Sequence, residues 1–518
     1  MVAQYLARRA AQETVMPAPI AIRLHPNDNV VVARMDILPN TKVEGDVAAA
    51  TRVPPGHKIL TRAVRKGDPL RKYNQIIGFA TDDLAAGTHI HTHNCVMGDF
   101  ERDYAFCADA QPTQYIAPAA TFMGYRRADG RAATRNYIGI VTTVNCSAAT
   151  SRMIAKHIEP LLAQYPNIDG VVPLTHGGGC GMAALGLEMD VLRRTLAGYT
   201  RHPNMAAVVV LGLGCETNQI SGLMNAEGLK EGPRLIPMAI QDEGGVSKTV
   251  MRAVAFLKEL LPDANALKRE PVPVSELILA LQCGGSDGYS GISANPALGA
   301  AVDLLVRHGG TAVLSETPEI YGAEHLLTRR AVSREVGEKI VKRIRWWEDH
   351  CARTGGEMNN NPSPGNKAGG LTTILEKSLG AVAKGGTTNL VDVYEYAQPI
   401  TARGFVYMDS PGYDPVSATG QVAGGANVLC FTTGRGSVFG CKPTPSLKLA
   451  TNSALYRRMT DDMDINCGSI VDGEESVQES GRKIFDLIVN TASGQKTKSE
   501  ALGIGDDEFE PWKIGATM

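Results

Sequence analysis

The chain has 518 residues, 43% hydrophobic and 20% charged, with 52 basic against 54 acidic side chains and a net charge of −2. That length holds about two to four domains, and the balanced charge carries no footprint for nucleic acid or an anionic membrane. Apolar runs such as Ala206–Leu213 fall well short of a membrane span, ten dispersed cysteines are no disulfide framework, and the opening MVAQYLARRAAQETV lacks the apolar core of a secretory signal, so a cytoplasmic protein is expected. The first hundred residues contain short β-branched runs, such as AIRLHPNDNVVVARMDI, GHKILTRAV and IIGFATDDLAAGTHIHTH, cut by Gly, Pro, Asn and Asp. They predict a small all-β module, followed by a polar linker through AFCADAQPTQYIAPAA. From Gly124 onward, continuous apolar strands alternate with amphipathic segments, the pattern of a parallel α/β sheet. Helices are predicted for SAATSRMIAKHIEPLLAQY, for AALGLEMDVLRRTLAGY and for Val332–Trp347, and another opens at Asn295–Pro296 as N-cap and first turn. KREPVPVSE reads as a joint, and NNNPSPGNKAGG as a long irregular loop of the kind that is more often functional than idle. The domains are expected at 1–115, 116–272 and 273–518: an all-β domain, then two α/β domains with largely parallel sheets.

Glycine, at 55 residues, clusters beside cysteines. The strand-like runs GIVTTVNC, DGVVPLTHGGGC, AAVVVLGLGC and ELILALQC close at Cys146, Cys180, Cys215 and Cys283. Ligands of open parallel sheets sit outside the carboxyl ends of strands. Any single cysteine there reads as a small buried hydrophobe; four at one topological position point to a metal centre assembled by the fold. Thiolates select iron, zinc or an iron–sulfur cluster, and the absence of a CxxC pair speaks against a zinc ribbon. His176, four residues before Cys180, is a ligand or acid/base candidate. His89, His91 and His93 alternate, which on a strand places all three on one face, suited to ligands or a ligand plus a proton donor; an exposed edge strand is the plainer reading. Ser286, Asp287, Asn366, Lys367 and Arg435 lie in glycine-rich turns, where Arg and Lys can grasp carboxylates. TTGRG is no Walker loop, and GLGCET only begins like a dinucleotide fingerprint.

These motifs together resemble the altronate/galactarate dehydratase family of sugar-acid hydro-lyases, whose N-terminal domain is a SAF (β-clip) domain. The resemblance is carried by GHK (Gly56–Lys58), HIHTHN (His89–Asn94), YRRADGRAATRN (Tyr125–Asn136), GLGCE (Gly212–Glu216), QCGGSDGYSGISANP (Gln282–Pro296), NPSPGNKAGG (Asn361–Gly370) and FTTGRG (Phe431–Gly436). His91, His93 and YGAEHLL (Tyr321–Leu327) look like the altronate branch, whereas MDINCGSI (Met463–Ile470) is nearer the galactarate pattern. The resemblance implies a small sugar-acid substrate that loses water to give a 2-keto-3-deoxy acid, and dependence on iron or a similar divalent metal. Fe²⁺ is expected before Mn²⁺, and the four thiolates offer an iron–sulfur cluster as the alternative.

Removing the C2 proton and the C3 hydroxyl needs a Lewis acid and positioned acid–base groups. The expected roles are metal or cluster binding for Cys146, Cys180, Cys215 and Cys283; additional ligation or protonation of the leaving hydroxyl for His91 and His93; base for His176 or Lys367; and substrate binding for Ser286, Asp287, Asn366 and Arg435. Rival readings are a sulfo-lyase acting on sulfolactate, a nucleotide-dependent oxidoreductase and a non-catalytic sugar-acid-binding protein. A homo-oligomer stays open.

Overall fold

The computed structural model describes residues 19–100 and 102–514; the opening segment read above for a secretory signal lies outside them. No helix among the described residues is long and apolar enough to cross a membrane.

The N-terminal region is all β: β1 (Ala21–Ile22), β2 (Val30–Ala33), β3 (Lys42–Glu44), β4 (Val47–Ala48), β5 (Lys58–Leu60), β6 (Pro69–Lys72), β7 (Gln75–Ala80), β8 (His89–Ile90) and β9 (Cys95–Val96). Antiparallel pairing gives the sheets β1-β2-β5-β8 and β6-β7-β9 and the hairpin β3-β4. HIHTHN is not one strand. β8 stops at Ile90, where the Asn94 side chain accepts from the His91 amide (2.9 Å) and donates to the His89 carbonyl (2.9 Å), folding the remainder into a turn.

The next strands are β10 (Thr121–Arg126), β11 (Ala132–Ala133), β12 (Tyr137–Thr142), β13 (Gly170–Leu174), β14 (Met205–Gly212), β15 (Leu235–Ala239) and β16 (Arg269–Pro273). A four-stranded sheet, β13-β12-β14-β15, is parallel throughout. Its β14 is buried along all eight residues, as the unbroken apolar run requires when both faces are covered. The charged joint KREPVPVSE is in fact mostly strand: β16 pairs antiparallel with β10, so the chain leaves this region beside the strand by which it arrived. The helix begun at Ala148 ends at Ile158 and tightens to a 3₁₀ turn over Glu159–Gln164, where Pro160 cannot donate the α-helical bond.

The last sheet comprises β17 (Ile278–Cys283), β18 (Thr311–Leu314), β19 (Leu390–Tyr394), β20 (Phe405–Met408), β21 (Val428–Thr433), β22 (Ser446–Ala450) and β23 (Ile465–Asn466). Its order is β19-β20-β18-β17-β21-β22-β23, again all parallel. The fold is therefore an all-β domain followed by α/β regions with parallel sheets. The helix expected to open with Asn295 as N-cap and Pro296 in its first turn starts two residues earlier, at Ala294, with Ser293 as N-cap. Asn295 instead lies inside the helix, donating to the Gly380 carbonyl (2.9 Å) and accepting from Thr432 (2.6 Å). The helix expected over Val332–Trp347 runs from Arg334 to Thr354, capped by Ser333, so it opens two residues later and ends seven later than expected. The NNNPSPGNKAGG loop contains a short helix, Pro364–Ala368, closed by a Ser363/Asn366 capping box.

Both parallel sheets reverse their strand order around a central pair, β12/β14 in one and β17/β21 in the other. Crevices at such switch points, beyond the carboxyl ends of the strands, are where ligands bind.

Candidate active site

β17 ends at Cys283, and the turn that follows packs against the turn after β21: the Gly285 carbonyl accepts from the amides of Gly434 (3.0 Å) and Arg435 (2.8 Å). A Cβ on Gly284 would meet the Asp414 carboxylate at 2.3 Å, so only glycine lets the two come together. Glu316 lies just beyond β18 in a left-handed conformation (φ 75°), held by the Ser410 hydroxyl, which accepts from its amide (3.0 Å). A non-glycine residue there costs about 1–3 kcal/mol, and such strain clusters at functional sites. Glu319 follows in the 3₁₀ turn Thr317–Ile320.

The ligand atoms of Cys283, Glu316 and Glu319, all buried, lie within 4.8 Å of one another and could hold a metal ion. Glu319 accepts from Lys377 Nζ (2.7 Å) and Asn361 Nδ2 (2.7 Å), and the Cys283 thiol points to its other oxygen (3.7 Å). Neither carboxylate oxygen of Glu316 has a hydrogen-bond partner, and Lys384 Nζ, itself without one, stands 3.6 Å away. Orphaned charge of this kind is costly in a buried site unless a further group is meant to complete it. Burial and the charge of Glu319 push Glu316 well above the usual carboxylate range and Asp414 up to about 7, and burial lifts the Cys283 thiol to about 11. Burial disfavours the charge on Lys377 and Lys384, yet the adjacent acids win and raise both. Fully ionised, the four acids Cys283, Glu316, Glu319 and Asp414 exceed the two lysines by two charges, the complement of a divalent cation. Sulfur with carboxylate oxygen suits a borderline transition metal better than magnesium or calcium.

A narrow cavity of about 10 Å³, room for about one water, is lined by Cys283, Ser286, Lys377, Glu376 and Tyr73. Against the carbonyls of Lys367 and Ala368 the all-β domain presents four imidazoles. His57 Nδ1 is 3.0 Å from His89 Nε2, the His57 and His91 rings stack at 4.9 Å, and His93 lies 5.8 Å from His89. Burial depresses His57 to about 4 and His89 to about 3, with neighbouring imidazoles adding to the effect, so both rings are neutral near pH 7. His91 Nε2 donates to the Lys367 carbonyl (2.8 Å), tying the cluster to the capped loop. Beneath it, Glu376 takes Lys58 Nζ (2.8 Å) on one oxygen and Lys72 Nζ (3.0 Å) on the other, all three groups fully buried. Burial would raise this carboxyl, but the two ammoniums hold it down to about 2.

The expected convergence of four cysteines does not occur. Cys283 sits with Glu316 and Glu319 on the seven-stranded sheet, whereas Cys146, Cys180 and Cys215 are exposed beyond the four-stranded one. Only Cys283 lies within its strand; the other three belong to the loops that follow. His176 is buried, with Nε2 3.0 Å from the Thr142 carbonyl and Nδ1 accepting from the Gly178 amide (3.1 Å), so both nitrogens are taken. Asp287 is also saturated, by the Tyr289 amide, Ser290, Thr451 and Asn452. Asn366 serves its capping box and donates to the Ser286 carbonyl (2.9 Å). Lys367 contributes its carbonyl to His91, and the Ser286 hydroxyl and the exposed Arg435 guanidinium make no hydrogen bond among the described residues. Sequence reasoning missed Glu316, Glu319, Lys377, Lys384 and Asp414. Two acids three apart in SETPE, directly after an apolar strand, were the available signal.

A polar crevice at a switch point, lined by buried acids and lysines, defines an α/β enzyme-like centre with a metal-ready donor set. Family models match along the chain: the altronate/galactarate dehydratase SAF domain over residues 19–98, the D-galactarate dehydratase/altronate hydrolase second domain over 124–265, and the D-galactarate/altronate dehydratase C-terminal region over 274–517. An altronate dehydratase from Bacillus subtilis is 35% identical over 96% of this chain and 99% of its own. A galactarate dehydratase (L-threo-forming) from Escherichia coli is 37% identical over 95% and 96%. The (2R)-sulfolactate sulfo-lyase subunit beta of Chromohalobacter salexigens is 33% identical over 74% and 95%. The chain belongs to the altronate/galactarate dehydratase family.

Proposed function

We propose that this protein is a cytoplasmic hydro-lyase that removes water from an altronate- or galactarate-type sugar acid, giving a 2-keto-3-deoxy acid, with its domains at 1–115, 116–272 and 273–518. The observation that carries the reading is the buried Glu316 carboxylate, left without a hydrogen-bond partner beside Cys283 and Glu319. These three residues are assigned as the ligands of Fe²⁺, with Mn²⁺ as the substitute. The bound ion supplies Lewis acidity toward the hydroxy acid, worth several kcal/mol of charge stabilisation.

The chain's own groups do the rest. Arg435, exposed beside the Gly284–Gly285 turn, receives the substrate carboxylate through its two-pronged guanidinium, and Ser286 holds a hydroxyl. Asp414, titrating at about 7, takes the C2 proton, since a base poised near the working pH combines availability with strength. The Lys377 ammonium, pinned by Glu319 and Asn361, faces the negative charge that develops as the proton leaves. His91 and His93 are assigned to protonate the departing C3 hydroxyl, and His91 does so by releasing the Lys367 carbonyl or the Thr92 hydroxyl that now engage its two nitrogens. His176, with both nitrogens engaged, fits a positioning role better than that of base.

The test is a screen of aldonic and aldaric acids for 2-keto product, run with Fe²⁺, with Mn²⁺ and with chelator. Keto acid from altronate or galactarate, abolished by chelator and by Glu316→Gln, is the expected result. The sulfo-lyase relative supports one second reading: sulfite release from sulfolactate without keto product from any sugar acid would replace the dehydratase assignment.

A further inference from the structure

Cysteine is among the most buried residue types, and free thiols are normally kept off surfaces. Of the ten cysteines here, six are buried, one is intermediate and three are exposed. Those three are Cys146, Cys180 and Cys215, and they occupy the loops after three adjacent parallel strands, β12, β13 and β14, at the switch point of the four-stranded sheet.

The loops are tied into one unit. The Asn145 amide donates to the Gly178 carbonyl (3.1 Å), the Asn218 amide to the Gly179 carbonyl (2.9 Å), and the Asn218 side chain to the Thr143 carbonyl (3.1 Å). Each of these bonds falls within three residues of a cysteine. Gly179, at φ +96°, packs so closely on Thr143 that a Cβ would stand 2.2 Å from its carbonyl oxygen. Buried Glu216 fixes the third loop, accepting from the Gly214 amide (2.7 Å) and from Thr143 Oγ1 (2.7 Å). Two independent nitrogens of His176 brace the second. So much rigid support under three exposed thiols is the architecture of a ligand shell, built to hold side chains in place before anything binds.

Three thiolates on loops bonded to one another select the occupant. Among the described residues, none of these cysteines belongs to a group of three ligand residues whose atoms lie within 4.8 Å of one another, the arrangement a single ion gathers. An iron–sulfur cube spreads its cysteine ligands over separate irons and accepts a wider triangle. Beside Cys180 a cavity of about 180 Å³ opens, walled by His176, Met182, Trp512 and Lys513, so a group at this position has room and access on one side.

We propose that Cys146, Cys180 and Cys215 bind a cuboidal iron–sulfur cluster through three thiolates, leaving one iron free for an oxygen ligand of the hydroxy-acid or water class. This centre is separate from the Cys283 crevice and does not depend on the function assigned to it. The experiment is anaerobic purification of the full chain, reconstituted with iron and sulfide, with measurement of iron, acid-labile sulfide, visible absorption and the electron paramagnetic resonance of the reduced form. About four irons and four sulfides per chain are expected. Cys146→Ser, Cys180→Ser and Cys215→Ser each lose most of the sulfide, while Cys107→Ser and Cys283→Ser retain it. Alkylation followed by mass spectrometry guards against variants that misfold: in the unaltered protein the cluster must shield these three thiols, which react once it is stripped. Iron without sulfide, a single zinc per chain, or sulfide retained in all three variants would overturn the proposal. Sulfide present with no dehydration of any sugar acid would sink the crevice assignment alone.

Discussion

Glu376 offers the sharpest test of how the all-β domain is held. Lys58 and Lys72 come from β5 and β6, Glu376 comes from the helix Ile374–Ala383, and no water reaches any of the three. Replacing Glu376 by Gln keeps the shape and leaves two buried ammoniums without a counter-charge. Breaking one side of a buried pair costs about 3–5 kcal/mol. The titration gives a matching figure: a carboxyl lowered from 4.5 to about 2 contributes about 3 kcal/mol, at 1.36 kcal/mol per tenfold. The sign follows from linkage. A depressed acid binds fewer protons folded than unfolded, so its contribution is full above pH 4.5 and disappears as pH falls toward 2. Amide hydrogen exchange of β5 and β6 is the assay. At pH 7 these amides should exchange about two decades faster in Glu376→Gln than in the unaltered protein, and the gap should narrow to about one decade by pH 3. Equal protection at pH 7, or a deficit that is the same at pH 7 and pH 3, would refute the charge argument and leave only shape.

Three further outcomes follow from the crevice and its surroundings. Asp414→Asn should lower kcat by about 10²–10⁴ and remove the limb of kcat/KM that otherwise rises with pH through about 7, read from pH–rate profiles. Arg435→Ala should raise KM for the sugar acid far more than it lowers kcat, with partial recovery in Arg435→Lys, since lysine keeps the charge but not the fork. Gly179→Ala should destabilise the protein by at least about 1 kcal/mol in urea unfolding, because a Cβ must displace the Thr143 carbonyl in a backbone conformation that alanine resists.

The seven parallel strands were legible because each is a short apolar run ending in a glycine or polar turn, as NVLCFTT and SLKLA show. Burial on both faces erases alternation and leaves that signature. The carboxyl-end position of the cysteines was legible for the same reason, but which strands share a sheet was not, and that separated Cys283 from the other three. Glu316 and Glu319 escaped notice because their meaning depends on β18 lying beside β17, a pairing across more than thirty residues. HIHTHN looked like a strand by period. Asn94 decided otherwise through two hydrogen bonds to the backbone, a local competition that residue spacing does not record. His57 joins the imidazoles only because β5 pairs with β8.

The antiparallel register of β10 with β16, Thr121 opposite Pro273 and Tyr125 opposite Arg269, sets the two ends of everything between them one strand spacing apart, about 4.8 Å. Such stubs can be bridged by a two-residue hairpin turn. The four-stranded unit is therefore threaded as an insert, and the strand order of the seven-stranded sheet does not pass through it; what binds the two together is side-chain packing and buried bonds such as Arg135 to Glu500, not the path of the chain.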